Sequence, residues 1–320
     1  MTEMNRTLGA TGIPTTAIAL GLAALGRPGY LNLGHGGDFN ERSVHGMERR
    51  THEVLDAAYA AGVRHFDAAR SYGRAEEFLG QWLRARAIEP GAVTISSKWG
   101  YTYTADWQVD ADPPEVKDLS ADTLRRQLAE TREQLGEHLT LYQIHSATAS
   151  SGVLEDPEVR ELLAELRSRG VAVGFSATGT EQADTIRRAI EVGGFDTVQA
   201  TYNLLERSAG DALEAAHDAG MGVIIKEALA NGRLTARGGI GPLTDAARRL
   251  GTTEDAVALA GVLARPWVDA ALSGAATVDQ LHSNLRAIEI EWSDELEAQL
   301  SGLVEPPDRY WDTRSHLTWT

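Results

Sequence analysis

The sequence contains no cysteine. This absence excludes a disulfide framework, a thiolate nucleophile and a metal site held by thiolates. No His-Glu-x-x-His spacing occurs either, so the zinc-hydrolase motif is absent and we expect no metal. A chain without cysteine fits a cytoplasmic protein, which is the location we predict.

Long basic runs and long apolar runs are also missing. No basic run exceeds a pair such as Arg49-Arg50, and the formal net charge is -16 with a pI near 5.0. These values argue against a nucleic-acid partner and against an anionic membrane surface. The early apolar run 17–25 is broken by Gly21 and is too short to span a bilayer. The segment before it lacks the basic start of a signal peptide.

The chain is long enough for one large core or for two domains, with 320 residues of which 42% are apolar. A repeated pattern decides between them, because a short apolar strand, a loop and an amphipathic helix recur eight times. No Pro/Gly/Ser-rich linker interrupts the repeat. We therefore predict an α/β protein with a single domain over residues 1–320, a (β/α)8 TIM barrel preceded by a β-hairpin around residues 9–15. The predicted strands are 17–20, 64–68, 93–98, 139–145, 172–176, 197–202, 222–226 and 269–273.

Three segments fall outside the repeat: 27–49, 100–120 and the tail 305–320. They are rich in aromatic residues and in Gly or Pro. Long loops after barrel strands, with a C-terminal tail at the active-site mouth, are typical walls of a substrate cleft, although surface disorder is the alternative. The candidate substrate contacts are Trp99, Tyr101, Trp107 and Trp311. Such aromatics stack on a sugar ring, hold an apolar aldehyde or simply keep a cleft dry.

Three predicted strands end on polar residues that an apolar core does not favour: Asp67, Lys98 and His145. Tyr72 follows Asp67 in the strand-to-helix loop. If the strands are in register, these four side chains meet at the carboxyl-terminal mouth of the barrel, where such barrels carry their chemistry. The alternative is that Asp67 caps the next helix and Tyr72 is a half-buried loop aromatic.

These motifs together resemble the aldo-keto reductases. The resemblance rests on Phe66-Asp67-Ala68-Ala69-Arg70-Ser71-Tyr72-Gly73, on Lys98, on Tyr142-Gln143-Ile144-His145, and on Gly274-Ala275-Ala276-Thr277 with Gln280 and Asn284. It implies a barrel that binds a nicotinamide cofactor without a Rossmann domain. It also implies that Asp67, Tyr72, Lys98 and His145 form the catalytic tetrad.

The residue types fit that implied chemistry. An aldehyde or ketone reduced by hydride leaves an oxyanion that needs a proton, and Tyr72 is the general acid that supplies it. A phenol has a pKa of ~10, so we expect the Lys98 cation to lower it. Asp67 pairs with Lys98, while a neutral His145 orients the carbonyl oxygen. Small carbonyl or sugar compounds are the expected substrates.

The resemblance also implies a set of cofactor-binding residues. They are Ser176, Gln199, Lys226, Leu229, Gly232, Ser273, Gly274, Ala275, Thr277, Gln280 and Asn284. NADP(H) is favoured by the resemblance. NAD(H) stays possible because no cation for a 2′-phosphate is evident near Gly274 and Gln280, and Asp279 adds a negative charge. Arg233 or Arg237 is a substitute cation, and Lys226 either approaches the pyrophosphate or pairs with Glu227.

Other functions remain open at this point. One is an NAD-dependent sugar or alcohol dehydrogenase that uses Tyr72 as general base. A second is a cofactor-sensing regulatory subunit, because such subunits resemble reductases closely. A third, a barrel without redox chemistry, requires four coincidences at strand ends.

Overall fold

Eight parallel strands close into a barrel at the centre of the protein. The computed structural model describes residues 4–29, 33, 41–109 and 111–318. The strands lie in chain order around the barrel, and the last pairs with the first through Ala271 and Ile18. They are β3 (Ile18–Gly21), β4 (His65–Asp67), β5 (Thr94–Trp99), β8 (Leu139–Ala147), β9 (Ala172–Ala177), β10 (Thr197–Thr201), β11 (Gly222–Lys226) and β12 (Ala270–Ser273). The predicted (β/α)8 fold is confirmed.

The two faces of each strand have different neighbours, as the alternation of side chains along a strand requires. Outward-facing residues such as Phe66 pack against the helices, and its ring lies 5.3 Å from that of Trp82. Inside the barrel, a small apolar cluster is closed from below by Leu8. Above that cluster the inward positions of β4 and β5 are polar.

The N-terminal hairpin supplies Leu8. Its strands are β1 (Asn5–Thr7) and β2 (Pro14–Thr16), which pair antiparallel as predicted. The Asp269 carboxylate ties it to the barrel, because one of its oxygens accepts from the backbone N–H of Gly9 at 2.9 Å and of Val223 at 2.8 Å. The hairpin therefore covers the end of the barrel opposite the polar mouth.

The helices alternate with the strands and lie close to the positions that the sequence pattern predicts. Helix α4 begins after Ser120, whose Oγ accepts from the N–H of Thr123 at 3.3 Å. Gly170 and Gly220 adopt positive φ just after α5 and α7, which allows the chain to turn back into the next strand. The helices are α1 (Ala23–Gly26), α2 (Val44–Ala60), α3 (Ala75–Ala85), α4 (Ala121–Leu135), α5 (Pro157–Ser168), α6 (Gln182–Val192), α7 (Gly210–Asp218), α8 (Gly241–Leu250), α9 (Glu254–Leu263), α10 (Val278–Leu285), α11 (Asp294–Leu300) and α12 (Pro307–Ser315).

The long segments contain regular structure of their own. Segment 100–120 holds a two-stranded antiparallel ribbon, β6 (Tyr101–Tyr103) and β7 (Glu115–Lys117), and the tail holds α12. Segment 27–49 lies partly outside the described residues. Within the described ranges, no helix combines the length and apolar character needed to cross a membrane.

Candidate active site

The first feature of the mouth is a buried ion pair between Asp67 and Lys98. Each residue is only 1% exposed. Lys98 Nζ donates to Asp67 Oδ2 and, at 3.0 Å, to the carbonyl of Ala68, while Ser96 Oγ donates to Asp67 Oδ1 at 2.6 Å. Helix α3 begins only at Ala75, so Asp67 does not cap it. The predicted Asp67–Lys98 pair is confirmed, and these hydrogen bonds satisfy both buried charges.

A chain of buried hydrogen bonds supports this pair from below. Thr15 Oγ1 lies 2.9 Å from His65 Nδ1, and His65 Nε2 lies 3.0 Å from Ser96 Oγ. Because Ser96 donates its proton to Asp67, its oxygen accepts from His65 Nε2–H, and His65 Nδ1 accepts from Thr15. Burial lowers the pKa of His65 to about 4, against the opposing charge of Asp67 and with a smaller contribution from Lys98, so the imidazole is neutral. Every donor in the chain therefore points toward Asp67.

Tyr72 lies beside the ion pair in the loop after β4. Lys98 Nζ is 5.0 Å from the centre of its ring. Burial, with the charges of Asp67 and Glu115, raises the pKa of Tyr72 well above its usual value, while Arg27 opposes this. We expected Lys98 to lower this pKa, but the net direction is upward because burial and the carboxylates dominate. The phenol thus keeps its proton at neutral pH.

His145 faces Tyr72 across the mouth. The two rings meet edge to face with centroids 5.6 Å apart, and Tyr101 approaches the imidazole at 5.0 Å from another side. Ser71 Oγ lies 3.5 Å from Nδ1, whereas Nε2 makes no hydrogen bond within the described part of the chain. Burial and the nearby positive charges of Lys98 and Lys226 lower the pKa of His145 well below its usual value. It is a neutral imidazole with one nitrogen available.

A cavity of about 370 Å³ extends from Asp67 and Tyr72 across the barrel mouth to helix α10. Its volume is in the range of a ligand pocket. Nine of the eleven predicted cofactor-binding residues line it, namely Gln199, Lys226, Leu229, Gly232, Ser273, Gly274, Ala275, Gln280 and Asn284. The structure therefore brings most of the predicted cofactor residues and two of the tetrad to one cavity.

Two predicted cofactor residues do not line this cavity. Ser176 is 1% exposed, and its Oγ accepts from the N–H of Ser146 at 2.8 Å. Thr277 is the N-cap of α10, where its Oγ1 accepts from the N–H of Gln280 at 3.2 Å. Both hydroxyls thus have structural partners, which the sequence pattern did not reveal.

Lys226 and Glu227 form the wall of the cavity after β11. Lys226 Nζ donates to Thr201 Oγ1 at 2.9 Å and lies 3.8 Å from Glu227 Oε1. Burial lowers the pKa of Lys226 to about 8, although Glu227 opposes this. Burial acts to raise the pKa of Glu227, but Lys226 and Arg314 outweigh it and lower that pKa to about 2. Lys226 thus both reaches the cavity and lies beside Glu227.

Several lining residues were not predicted as cofactor residues from the sequence. The polar ones are Glu227, Asn231, Thr235, Asp255 and Ser283. Asp255 looks in sequence like an ordinary acid in the first turn of a helix, and only the packing of α9 against α10 brings it to the cavity. Of the two alternative cations, Arg233 is held by Glu305 at 2.6 and 3.0 Å, whereas Arg237 lines the cavity.

Of the four predicted aromatic contacts, two lie near the mouth and two do not. Tyr101 lies beside His145, and Trp311 of α12 lies with its ring centre 5.9 Å from Lys226 Nζ. Trp99 is fully buried in the main core, so it does not wall an open cleft. Its outward direction follows from strand alternation, because Lys98 points inward. Trp107 lies away from the cavity, where it donates to the carbonyl of Arg42 at 2.7 Å.

The ribbon and the tail are anchored next to the mouth. Arg27 Nη1 donates at 3.0 Å both to Glu115 of β7 and to the carbonyl of Ser71. On the other side, Arg314 of α12 donates to both oxygens of Glu227 at 2.9 and 3.0 Å. Arg27 of segment 27–49 and Arg314 of the tail therefore contact the loops after β4 and β11, and the ribbon is joined to the first of these loops through Arg27.

Comparison with known proteins gives a consistent result. The model of the Aldo/keto reductase family matches residues 18–305. NADH-specific methylglyoxal reductase of Escherichia coli is 25% identical, covering 90% of this chain and 94% of its own. Pyridoxal 4-dehydrogenase of Microbacterium luteolum is 29% identical, covering 73% of each. A solved structure from Pseudomonas aeruginosa, assigned to the aldo-keto reductases, has a TM-score of 0.66 and 27% identity, covering 90% of this chain and 96% of its own.

Proposed function

Because this chain belongs to the Aldo/keto reductase family, as the match over residues 18–305 shows, we propose that it reduces an aldehyde or ketone with a nicotinamide cofactor, using Tyr72 as the general acid. The observation that carries this proposal is the arrangement around Tyr72. Tyr72 and Asp67 line one end of the cavity, and Lys98 and His145 lie directly beside them.

The residues around the cavity fit a dinucleotide. The Gln199 amide lies beside Asp67 at one end and the Lys226 ammonium lies further along. Gln280 in the first turn of α10 and Asn284 in its last turn also line the cavity. Asn231 Oδ1 is buried without a hydrogen-bond partner in the described structure, so this polar group is available to a ligand. An amide, a cation and the polar side chains of α10, in this order along the cavity, suit the amide, phosphate and sugar parts of such a molecule. When bound, the cofactor supplies the hydride.

Each member of the tetrad has a distinct part in the proposal. His145 Nε2 donates to the carbonyl oxygen, fixing its position and favouring the developing negative charge. Tyr72 then transfers its proton to that oxygen. Lys98 stabilises the resulting phenolate, and Asp67 keeps Lys98 charged and in place. The same proton runs in the opposite direction in the dehydrogenase alternative, where Tyr72 acts as the base, so a comparison of turnover with an aldehyde and with an alcohol distinguishes the two.

The test separates cofactor binding from proton transfer. Tyr72→Phe should bind NADH or NADPH as the unchanged protein does, measured by tryptophan quenching, because the cavity keeps its shape. Its turnover of 4-nitrobenzaldehyde should fall by about 10²-fold or more, the typical contribution of a general acid. Tyr59→Phe is the matched control, since it removes a phenol hydroxyl from α2.

The outcomes also decide between the alternatives. Retained turnover in Tyr72→Phe contradicts the role of Tyr72. Tight cofactor binding without turnover of any aldehyde or alcohol supports the regulatory-subunit alternative. If neither cofactor binds, the nicotinamide proposal itself fails.

A further inference from the structure

Asp255 places a carboxylate on the wall of the cavity, far along the chain from the strand-end motifs. It lies in the first turn of α9, which begins after Thr253. Its Oδ2 accepts from Asn284 Nδ2 of α10 at 2.6 Å. Two helices of neighbouring units therefore meet at this side chain.

The carboxylate is held from one side only. Asn284 is itself fixed, because its Oδ1 accepts from Ser273 Oγ at 2.7 Å at the end of β12. Asp255 Oδ1 makes no hydrogen bond with any described residue, although the side chain lines the cavity. One oxygen thus sets the orientation, and the other keeps its capacity to accept a hydrogen bond on a side chain that lines the cavity.

Neither Gln280 nor Arg233 compensates the negative charge of Asp255. Gln280 is uncharged, and its Oε1 accepts from the N–H of Ala276 at 2.8 Å. Arg233 is paired with Glu305. Arg237 does line the cavity, and its side chain is already engaged in an interaction. The wall at α9 and α10 therefore presents a carboxylate with a free oxygen and a cation that is already engaged.

We propose that Asp255 selects NAD(H) against NADP(H), an inference that rests on the proposed function. A carboxylate accepts hydrogen bonds from a ribose diol, and it repels the additional phosphate that distinguishes the second cofactor. Asp255 thus acts as a specificity-determining residue by attraction of one ligand and rejection of the other. Asp279, the acid noted in the sequence, is exposed and does not line the cavity.

The test is a pair of equilibrium titrations with NADH and NADPH, followed by tryptophan quenching, so the readout is binding and not turnover. The unchanged protein should bind NADH more tightly by about tenfold or more. Asp255→Asn should shift the ratio of the two dissociation constants toward NADPH by about tenfold, because the isosteric amide still accepts from Asn284 and no longer repels phosphate.

Asp279→Asn is the matched control, since it removes the same charge from the first turn of α10 outside the cavity. It should leave the ratio within about twofold, as screening by salt predicts for an exposed charge. If Asp255→Asn does not fold, as judged by thermal unfolding, Asp255→Ser provides the same comparison.

Three results would overturn the proposal. They are a preference of the unchanged protein for NADPH, an unchanged ratio in both Asp255 variants, and an equal shift in Asp279→Asn. In the first case, a loss of NADPH binding in Arg237→Ala would assign the dominant role to that cation instead. Failure of the proposed function is distinct, because then neither cofactor binds the unchanged protein.

Discussion

The two ends of the cavity are built differently. At the strand-end half, formed by Asp67, Tyr72, Lys98 and His145, the buried carboxylate and ammonium are paired with each other and with neighbouring protein groups. At the helix-start half, formed by Ser273–Asn284 together with Asp255 and Asn231, described polar atoms lack protein partners. The difference indicates that the reacting groups are fixed in advance, whereas the cofactor wall keeps acceptors available for a ligand.

The largest expected effect is a loss of stability caused by a substitution in the strand-end half. Lys98→Met leaves the Asp67 carboxylate buried without its cation, so the free energy of unfolding should fall by about 3–5 kcal/mol. Urea denaturation measures this change. The double variant Asp67→Asn/Lys98→Met should recover part of the loss, because no buried charge then remains unpaired.

An exposed ion pair supplies the control for this prediction. Arg86 pairs with Asp56 at 2.7 Å on the surface, with each side chain more than 40% exposed. Arg86→Met should lower the free energy of unfolding far less than Lys98→Met does, because solvent screens an exposed pair. Equal losses in Lys98→Met and Arg86→Met would contradict the view that the Asp67–Lys98 pair is a closed, desolvated unit.

The next effect concerns pH and His65. Its pKa in the folded protein is about 4, below the ~6.5 of an unfolded chain. Between these values the unfolded chain binds the extra proton, so the free energy of unfolding should fall as pH falls. The expected loss from His65 between pH 7 and pH 5 is about 2 kcal/mol.

Urea unfolding at the two pH values measures this dependence. His65→Asn should show a smaller loss than the unchanged protein. The slope should not vanish, because the pKa of His145 is also lowered and acts in the same direction. Identical pH dependence in both proteins would show that His65 is not held neutral by the barrel.

The smallest expected effect lies at the helix-start half. Thr277→Ala removes the N-cap of α10 and should lower the free energy of unfolding by about 1 kcal/mol. Ser120→Ala removes the same kind of cap from α4 and should cost a similar amount. Only Thr277→Ala should also weaken NADH binding, since α10 carries Gln280 and Asn284. Equal NADH affinity in both variants would contradict the assignment of the start of α10 to the cofactor site.

The sequence predicted the barrel well because its signals are local. Each strand is a short apolar run between turn signals, and polar residues at strand ends identify the mouth. Strand alternation also carries the direction of Trp99, since an inward Lys98 requires an outward neighbour, and this excludes Trp99 as a substrate contact. The organisation as one domain over residues 1–320 stays a prediction.

The remaining features depend on packing between distant segments. Asp255 and Asn284 are 29 positions apart, and nothing in either local pattern predicts their contact. The direction of the Tyr72 pKa depends on how deeply the ring is buried and on carboxylates from other loops, including Glu115. The sequence names the cation beside Tyr72 but does not give the balance of burial and charge.

Helix α12 has a consequence for how the protein can change. Its Arg314 holds Glu227, whose positive φ of 53° is an uncommon backbone state that surrounding contacts must maintain. Tyr310 of the same helix reinforces the contact by accepting from Asn203 Nδ2 at 3.0 Å. Substitutions in α12 can therefore reshape the cavity through the loop after β11 while the barrel stays intact. Variation of this helix is a direct engineering route to altered ligand preference.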